Sequence, residues 1–209
     1  MQIEWILFDL GNTLYDETNS DYERVCTLIG KNRLNISPVE FLEQMKKGAS
    51  AYAVSPFSYA QKHFGIEINQ PYSSEKEVLF DGVHDVLKRL SEKYRLGILA
   101  NQPSSTLERL KRDGIYQYFD LCLLSETENL FKPDIKFFEY ALEKTNCIPS
   151  KIVMVGDRLD NDIMPAKKVG MKTIRIKQGL NLVQSPLNID YVPDVEISSI
   201  QQLCSVLLA

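Results

Sequence analysis

The chain has little of what would tie it to a membrane, to a nucleic acid or to an oxidising compartment. Among 209 residues there are one tryptophan, two histidines and four cysteines. Cys26, Cys122, Cys147 and Cys204 are widely spaced, lie in or beside apolar periodic segments and form no paired-cysteine metal motif. They read as reduced, largely core residues rather than as disulfides or a zinc site. No apolar run approaches the roughly 18–20 residues that span a bilayer, and the first segment, with Glu4 and no basic region, is unlike a signal peptide. The 28 acidic and 24 basic residues give a net charge of −4 with no long block of either sign. That argues against a nucleic-acid polymer or a membrane surface as partner, and a cytoplasmic location is expected. His63 and His84 stand outside the motif-bearing loops, so a histidine-based mechanism has little support.

What is present is a regular alternation. From about Gly82 onward helix and strand patterns follow one another. Val83, Val86, Leu87 and Leu90 repeat at helix spacing, and RLGILA (95–100) reads as a short buried strand. Ser105 and Glu108 have the spacing of a capping box for a helix that Gly114 ends. FDLCLLS (119–125), KIVMVGD (151–157), MKTIRIK (171–177) and DVEI (194–197) read as further strands. Helices are expected around Phe137–Leu142, from the 157–162 cluster to about Gly170, and at the C-terminus. This pattern predicts a doubly wound (Rossmann-like) α/β fold with a parallel sheet. Residues 16–81 differ: strand patterns are scarce, Ser37-Pro38 with Glu40 makes a capping box, and Ser55-Pro56 repeats the serine-proline start. The expected organisation is an α/β core from 1–15 and 82–209 with an inserted helical cap domain over 16–81.

In such a sheet ligands bind beyond the carboxyl ends of the strands. Asp9 ends the apolar run IEWILFD, Asn101 ends GILAN, and Asp157 and Asp162 belong to VGDRLDND, which follows another apolar run. Lys132 stands before a proline in FKPD. Taken singly, each residue type is common in turns and helix caps. Taken together and in order, they point to metal-assisted phosphoryl transfer.

This ordered set resembles the haloacid dehalogenase (HAD)-like hydrolase superfamily, in the subclass whose helical cap lies between motifs one and two, and the resemblance covers nearly the whole chain. It implies a magnesium-dependent phosphatase of a small phosphorylated metabolite, working through an aspartyl-phosphate. Asp9 would be the nucleophile. Lys132 would neutralise the phosphoryl group and Asp9. Asp9, Asp157 and the backbone carbonyl of Gly11 would hold Mg2+, with Asp162 holding metal-bound water or orienting Lys132. Asn101, Thr13 and Asn12 fall at phosphate-binding positions. The resemblance leaves a monomer and a homodimer equally open.

The chain departs from the family at Gly11, where the phosphatases carry an aspartate that protonates the leaving alcohol, a contribution of about 10²–10⁴-fold in rate. Ala100 replaces a usual threonine or serine. Three readings follow. Another group supplies the proton, Asp16 at the cap entrance being the preferred candidate; or the chain is a hydrolytic dehalogenase; or it is a catalytically weakened protein that binds a phospho-ligand or a protein. Dehalogenation gives Asp157 and Asp162 no task, and a binding module gives Asp9 none. Cap aromatics such as Tyr22, Tyr52, Phe57 and Tyr59 are candidate substrate contacts, with cap core as their simpler role.

Overall fold

The computed structural model describes residues 3–209. In chain order the elements are β1 (Trp5–Phe8), β2 (Tyr15–Asp16), α1 (Thr18–Asn32), α2 (Pro38–Ser50), α3 (Pro56–His63), β3 (Val78–Leu79), α4 (Val83–Ser91), β4 (Arg95–Ala100), α5 (Thr106–Arg112), β5 (Leu121–Leu124), α6 (Ser125–Glu128), α7 (Ile135–Thr145), β6 (Ile152–Gly156), α8 (Met164–Lys168), β7 (Lys172–Ile176), β8 (Val195–Ile197) and α9 (Gln202–Leu207). No helix of the described residues is long and apolar enough to cross a membrane.

Six strands form a parallel sheet in the order β5-β4-β1-β6-β7-β8. Because the sheet is covered on both faces, its strands are apolar throughout instead of alternating with polar residues. All four residues of β1 are buried. Ile6 and Phe8 pack on one face with Val83, Val86, Leu87 and Leu90 of α4 and with Leu203 of α9. Trp5 and Leu7 pack on the other with Phe137, Phe138 and Ala141 of α7 and Ala166 of α8. The sheet order reverses direction at β1, which is where a doubly wound sheet opens a crevice.

β2 and β3 form a separate antiparallel pair, Tyr15 opposite Leu79 and Asp16 opposite Val78, through which the chain leaves the sheet and returns. Between them α1, α2 and α3 close a cluster of their own around Val25, Leu28, Phe41, Met45, Phe57 and Ala60, with Leu180 of the core packed against it. The helix starts follow local chemistry. The Ser37 side chain accepts from the Glu40 amide at 3.1 Å while Glu40 Oε2 accepts from the Ser37 amide at 3.0 Å. Ser55 accepts from the Ser58 amide at 3.1 Å.

Two local expectations fail. Ser105 precedes α5 in helical backbone and makes no side-chain cap; its neighbour Ser104 instead donates to Glu126 from its amide and hydroxyl, at 2.7 and 2.5 Å, so this turn is held by a long-range carboxylate. The segment before Gly170 is not one helix. Residues 159–163 form a wide π-type turn and only Met164–Lys168 is α-helical, because Asp162 is drawn into the site and Pro165 lacks an amide to continue the ladder.

Arg175 on β7 fixes the loop beyond that strand. It is almost fully buried and donates to the carbonyls of Asp157 (3.2 Å), Gln184 (3.1 Å) and Asn181 (2.8 Å), and to Glu196 (3.1 Å). Three buried carbonyls depend on it, each costing about 1–3 kcal/mol if orphaned. Glu196 is 40% exposed, so its pairing is solvent-screened. Urea unfolding is expected to show Arg175→Met destabilised by about 3 kcal/mol or more and Glu196→Gln by less than about 1 kcal/mol. Equal losses would place the stabilisation in the ion pair instead. In the helical cluster, Phe41→Ala is expected to cost about 3–5 kcal/mol.

Candidate active site

β1, β4 and β6 are neighbours in the sheet, so Asp9, Asn101 and Asp157, each directly beyond the end of one of these strands, meet at the point where the strand order reverses. A cavity of about 270 Å³ opens there. Its floor carries Asp9, Gly11, Lys132, Asp157 and Asp162, and α1 and α3 contribute Arg24 and Phe57 from above.

Lys132 is the centre of the floor. Its side chain is 2% exposed, and the ammonium donates to Asp9 Oδ1 at 2.7 Å and to Asp162 Oδ1 at 2.5 Å. Burial works against the charged form of Lys132, but the Asp162 and Asp9 carboxylates outweigh it and raise its pKa. Asn101 fixes the backbone of this lysine from both sides. Asn101 Nδ2 donates to the Lys132 carbonyl and Oδ1 accepts from its amide, both at 2.8 Å. One amide hydrogen of Asn101 remains for a ligand, so much of its capacity goes to positioning.

The carboxylates are crowded. Asp9, Asp157 and Asp162 each offer an oxygen, and these lie within 4.8 Å of one another. Burial, followed by the charges of Asp9 and Asp162, pushes Asp157 well above the usual carboxylate range. Asp162 is pushed up to about 6 by burial, against the pull of Lys132. Its Oδ2 accepts the Arg158 amide at 3.0 Å, and it packs so closely on Gly156 that any Cβ there would overlap it. Asp157 Oδ2 accepts from Asn181 Nδ2 at 2.9 Å, while Asn181 Oδ1 is buried without a partner among the described residues. Arg158 lines the cavity but its guanidinium is paired with Asp160, at 2.6 and 3.1 Å.

The remaining residues singled out in the sequence are placed as follows. Thr13 is fully buried, its hydroxyl 3.4 Å from Asp9 Oδ2. Asn12 lines the cavity, and its Nδ2 donates to Glu17 Oε2 at 2.7 Å. The amides of the turn bond to the carbonyls of Leu10 and Tyr15, not to that of Gly11. Asp16 Oδ1 accepts the Thr18 amide at 2.9 Å, and Asp16 does not line the cavity; it holds the entry to α1. The carboxylates of this segment that do line the cavity are Glu17, the next residue, and Asp21 one turn into α1. Burial, with the charges of Glu77, Asp21, Asp157 and Asp9 behind it, holds Glu17 well above the usual carboxylate range. Sequence reasoning missed Glu17, Asn181 and Arg175. Glu17 adjoins Asp16 at the cap entrance, so a search of that turn for any acidic side chain would have included it. Of the aromatics, Phe57 is core and cavity wall together, with the Arg24 guanidinium 3.6 Å from its ring centre.

Comparison with known proteins shows which family the chain falls in. Residues 6–176 match the family model described as haloacid dehalogenase-like hydrolase. The chain is 30% identical to a glyceraldehyde 3-phosphate phosphatase of Methanocaldococcus jannaschii, covering 98% of this chain and 96% of that one, and 29% identical to that of Pyrococcus furiosus, covering 99% and 93%. Among solved structures, a HAD phosphatase from Thermococcus onnurineus superposes with a TM-score of 0.66 at 25% identity over 98% of both chains. The magnesium-bound HAD-hydrolase YfnB of Bacillus subtilis superposes at 0.75 with 19% identity over the whole of both chains, a likeness of fold. With a family model matched over residues 6–176 and a relative 30% identical over nearly the full length, the chain belongs to the haloacid dehalogenase-like hydrolases.

Proposed function

We propose that this site is a magnesium-dependent phosphatase of a short phosphorylated metabolite, with glyceraldehyde 3-phosphate as the first substrate to test. That the chain is an enzyme hydrolysing phosphate esters follows from its family together with near-full-length relatives named as phosphatases. The observation that carries the reading is the Lys132 ammonium bound to Asp9 at 2.7 Å. A nucleophilic carboxylate and a phosphate monoester are both anions, and a fixed buried cation at the point of contact lets them approach.

The residues present fit magnesium. Three carboxylate oxygens within 4.8 Å of one another are the hard donors that ion takes, and the carboxyl crowding at Asp157 is what a divalent cation relieves. Asp9, Asp157 and the Gly11 carbonyl would hold it, with Asp162 beside them. When bound, it would supply positive charge to the transferring phosphoryl group. Asp9 attacks phosphorus and carries the phosphoryl group as an acyl phosphate until water removes it. Lys132 balances charge on Asp9 and on the phosphoryl oxygens, and Asp162 keeps Lys132 aimed. Asn101 holds the backbone of Lys132 and offers its free amide hydrogen. Thr13 and Asn12 shape the loop around Asp9. The helical segment 16–81 acts as a cap that excludes water and selects the leaving group. The preserved acidic cluster favours this over hydrolytic dehalogenation, which has no use for it.

Purified protein is expected to release phosphate from glyceraldehyde 3-phosphate with magnesium, and to stop when a chelator is added or when Asp9 is changed to Asn. Absence of turnover on a panel of small phosphomonoesters would contradict the reading. Lys132→Met is expected to lower kcat by at least about 10²–10³-fold, the cost of removing one preorganised electrostatic contact.

A further inference from the structure

Gly11 leaves the loop after β1 without a side chain, and the space is filled from another element. A Cβ built at position 11 would stand 2.7 Å from Glu17 Cδ and overlap Glu17 Oε1. The Glu17 carboxyl therefore lies where a side chain at position 11 would lie. Glu17 precedes the first residue of α1, a place where a carboxylate ordinarily accepts from the first helical amides, yet it makes no such bond. It turns back to the sheet, and Asn12 Nδ2 holds Oε2 at 2.7 Å.

Asn12 is itself shaped for this contact. It adopts the left-handed region, φ 51°, and packs on Gly179, where a Cβ would come within 2.6 Å of Asn12 Cβ. With Oε2 fixed, Oε1 is the oxygen left toward Gly11 and the cavity that Asp9 and Lys132 also line. The carboxyl is thus held by one oxygen, and the other lies on the side of Gly11. An alkoxide such as that of a sugar phosphate is a poor leaving group and needs a proton at the moment of departure.

We propose that Glu17 is the general acid and base of this site, acting from the start of the cap in the place of the side chain missing at position 11. The inference rests on the phosphatase reading above. As Asp9 attacks phosphorus, the bond from phosphorus to the ester oxygen breaks and that oxygen takes the proton of the Glu17 carboxyl. Water then attacks the phosphorus of the acyl phosphate, Glu17 takes a proton from the water, and the bond from phosphorus to Asp9 breaks. Inorganic phosphate and the alcohol leave, and Glu17 is protonated as at the start. Because Glu17 belongs to the cap entrance, the proton donor and the helices that exclude water arrive on one segment.

The test is Glu17→Gln, which keeps the size of the side chain and an acceptor for Asn12 while removing the acid. With glyceraldehyde 3-phosphate and magnesium, turnover is expected to fall by about 10²–10⁴-fold. With p-nitrophenyl phosphate, whose leaving group departs without a proton, the variant is expected to give a rapid burst of one nitrophenol per enzyme and then a slow steady state, because the acyl phosphate on Asp9 waits for its base. A variant that hydrolyses the sugar phosphate at the wild-type rate, or that loses the burst along with turnover, overturns the assignment. Wild-type protein inactive on both esters would overturn the phosphatase reading and this inference together; active wild type with an unaffected variant overturns the inference alone. Should Glu17→Gln fold poorly, the exchange of Gly11→Asp with Glu17→Ala carries the test. Recovery of sugar-phosphate turnover over folded Glu17→Ala supports the assignment, and no recovery overturns it.

Discussion

A buried ammonium between two carboxylates organises the mouth of the sheet. Lys132 meets Asp9 at 2.7 Å and Asp162 at 2.5 Å, and removing one partner from such a buried arrangement typically costs about 3–5 kcal/mol, because the remaining charge is left unpaired. The lysine joins three chain segments that are distant in sequence: the loop after β1, the loop before α7 and the turn after β6. Its main chain is clamped by Asn101 after β4. All the motif-bearing loops thus converge on this one residue, and in the proposed reaction its charge would let an anionic substrate approach an anionic nucleophile.

Around that centre, positions are set by groups that do not touch the reacting atoms. Arg175 ties the carbonyls of Asp157, Asn181 and Gln184 together, and Asn181 in turn donates to the Asp157 carboxylate. Gly156 leaves room for Asp162 to lie against the backbone. The helical segment is tied to the same site through Asn12 and Glu17, and through Leu180, which packs on the cluster formed by α1, α2 and α3 while lining the cavity. Any motion of the helical segment that shifts Glu17 therefore shifts a carboxyl that lines the cavity.

Much of this was legible in the sequence, and the reason is local. Strands buried on both faces are apolar runs, so the positions of β1, β4, β6 and β7 could be read directly, and Asp9, Asn101 and Asp157 stand out because polar residues end those runs. Ser37 and Ser55 announce their helices through bonds made within three residues. What escaped depends on partners far away in the chain. Ser105 looked like a cap until Glu126 engaged its neighbour Ser104. Asn101 was legible as a polar strand end, but its clamp on Lys132 spans 31 residues. Arg175 in an apolar strand has no sequence sign of the three carbonyls it serves. Asp16 and Glu17 are adjacent acids in one turn, and only the fold distinguishes the one that caps the entry to a helix from the one that lines the cavity.

The central claim is that Asp9 carries the phosphoryl group. The most direct measurement is mass spectrometry of protein acid-quenched during turnover of glyceraldehyde 3-phosphate with magnesium. The account predicts one phosphoryl adduct on the peptide containing Asp9, lost on brief exposure to alkali as an acyl phosphate is, and absent in Asp9→Asn. Phosphate release with no adduct on Asp9, or with undiminished turnover by Asp9→Asn, would contradict it.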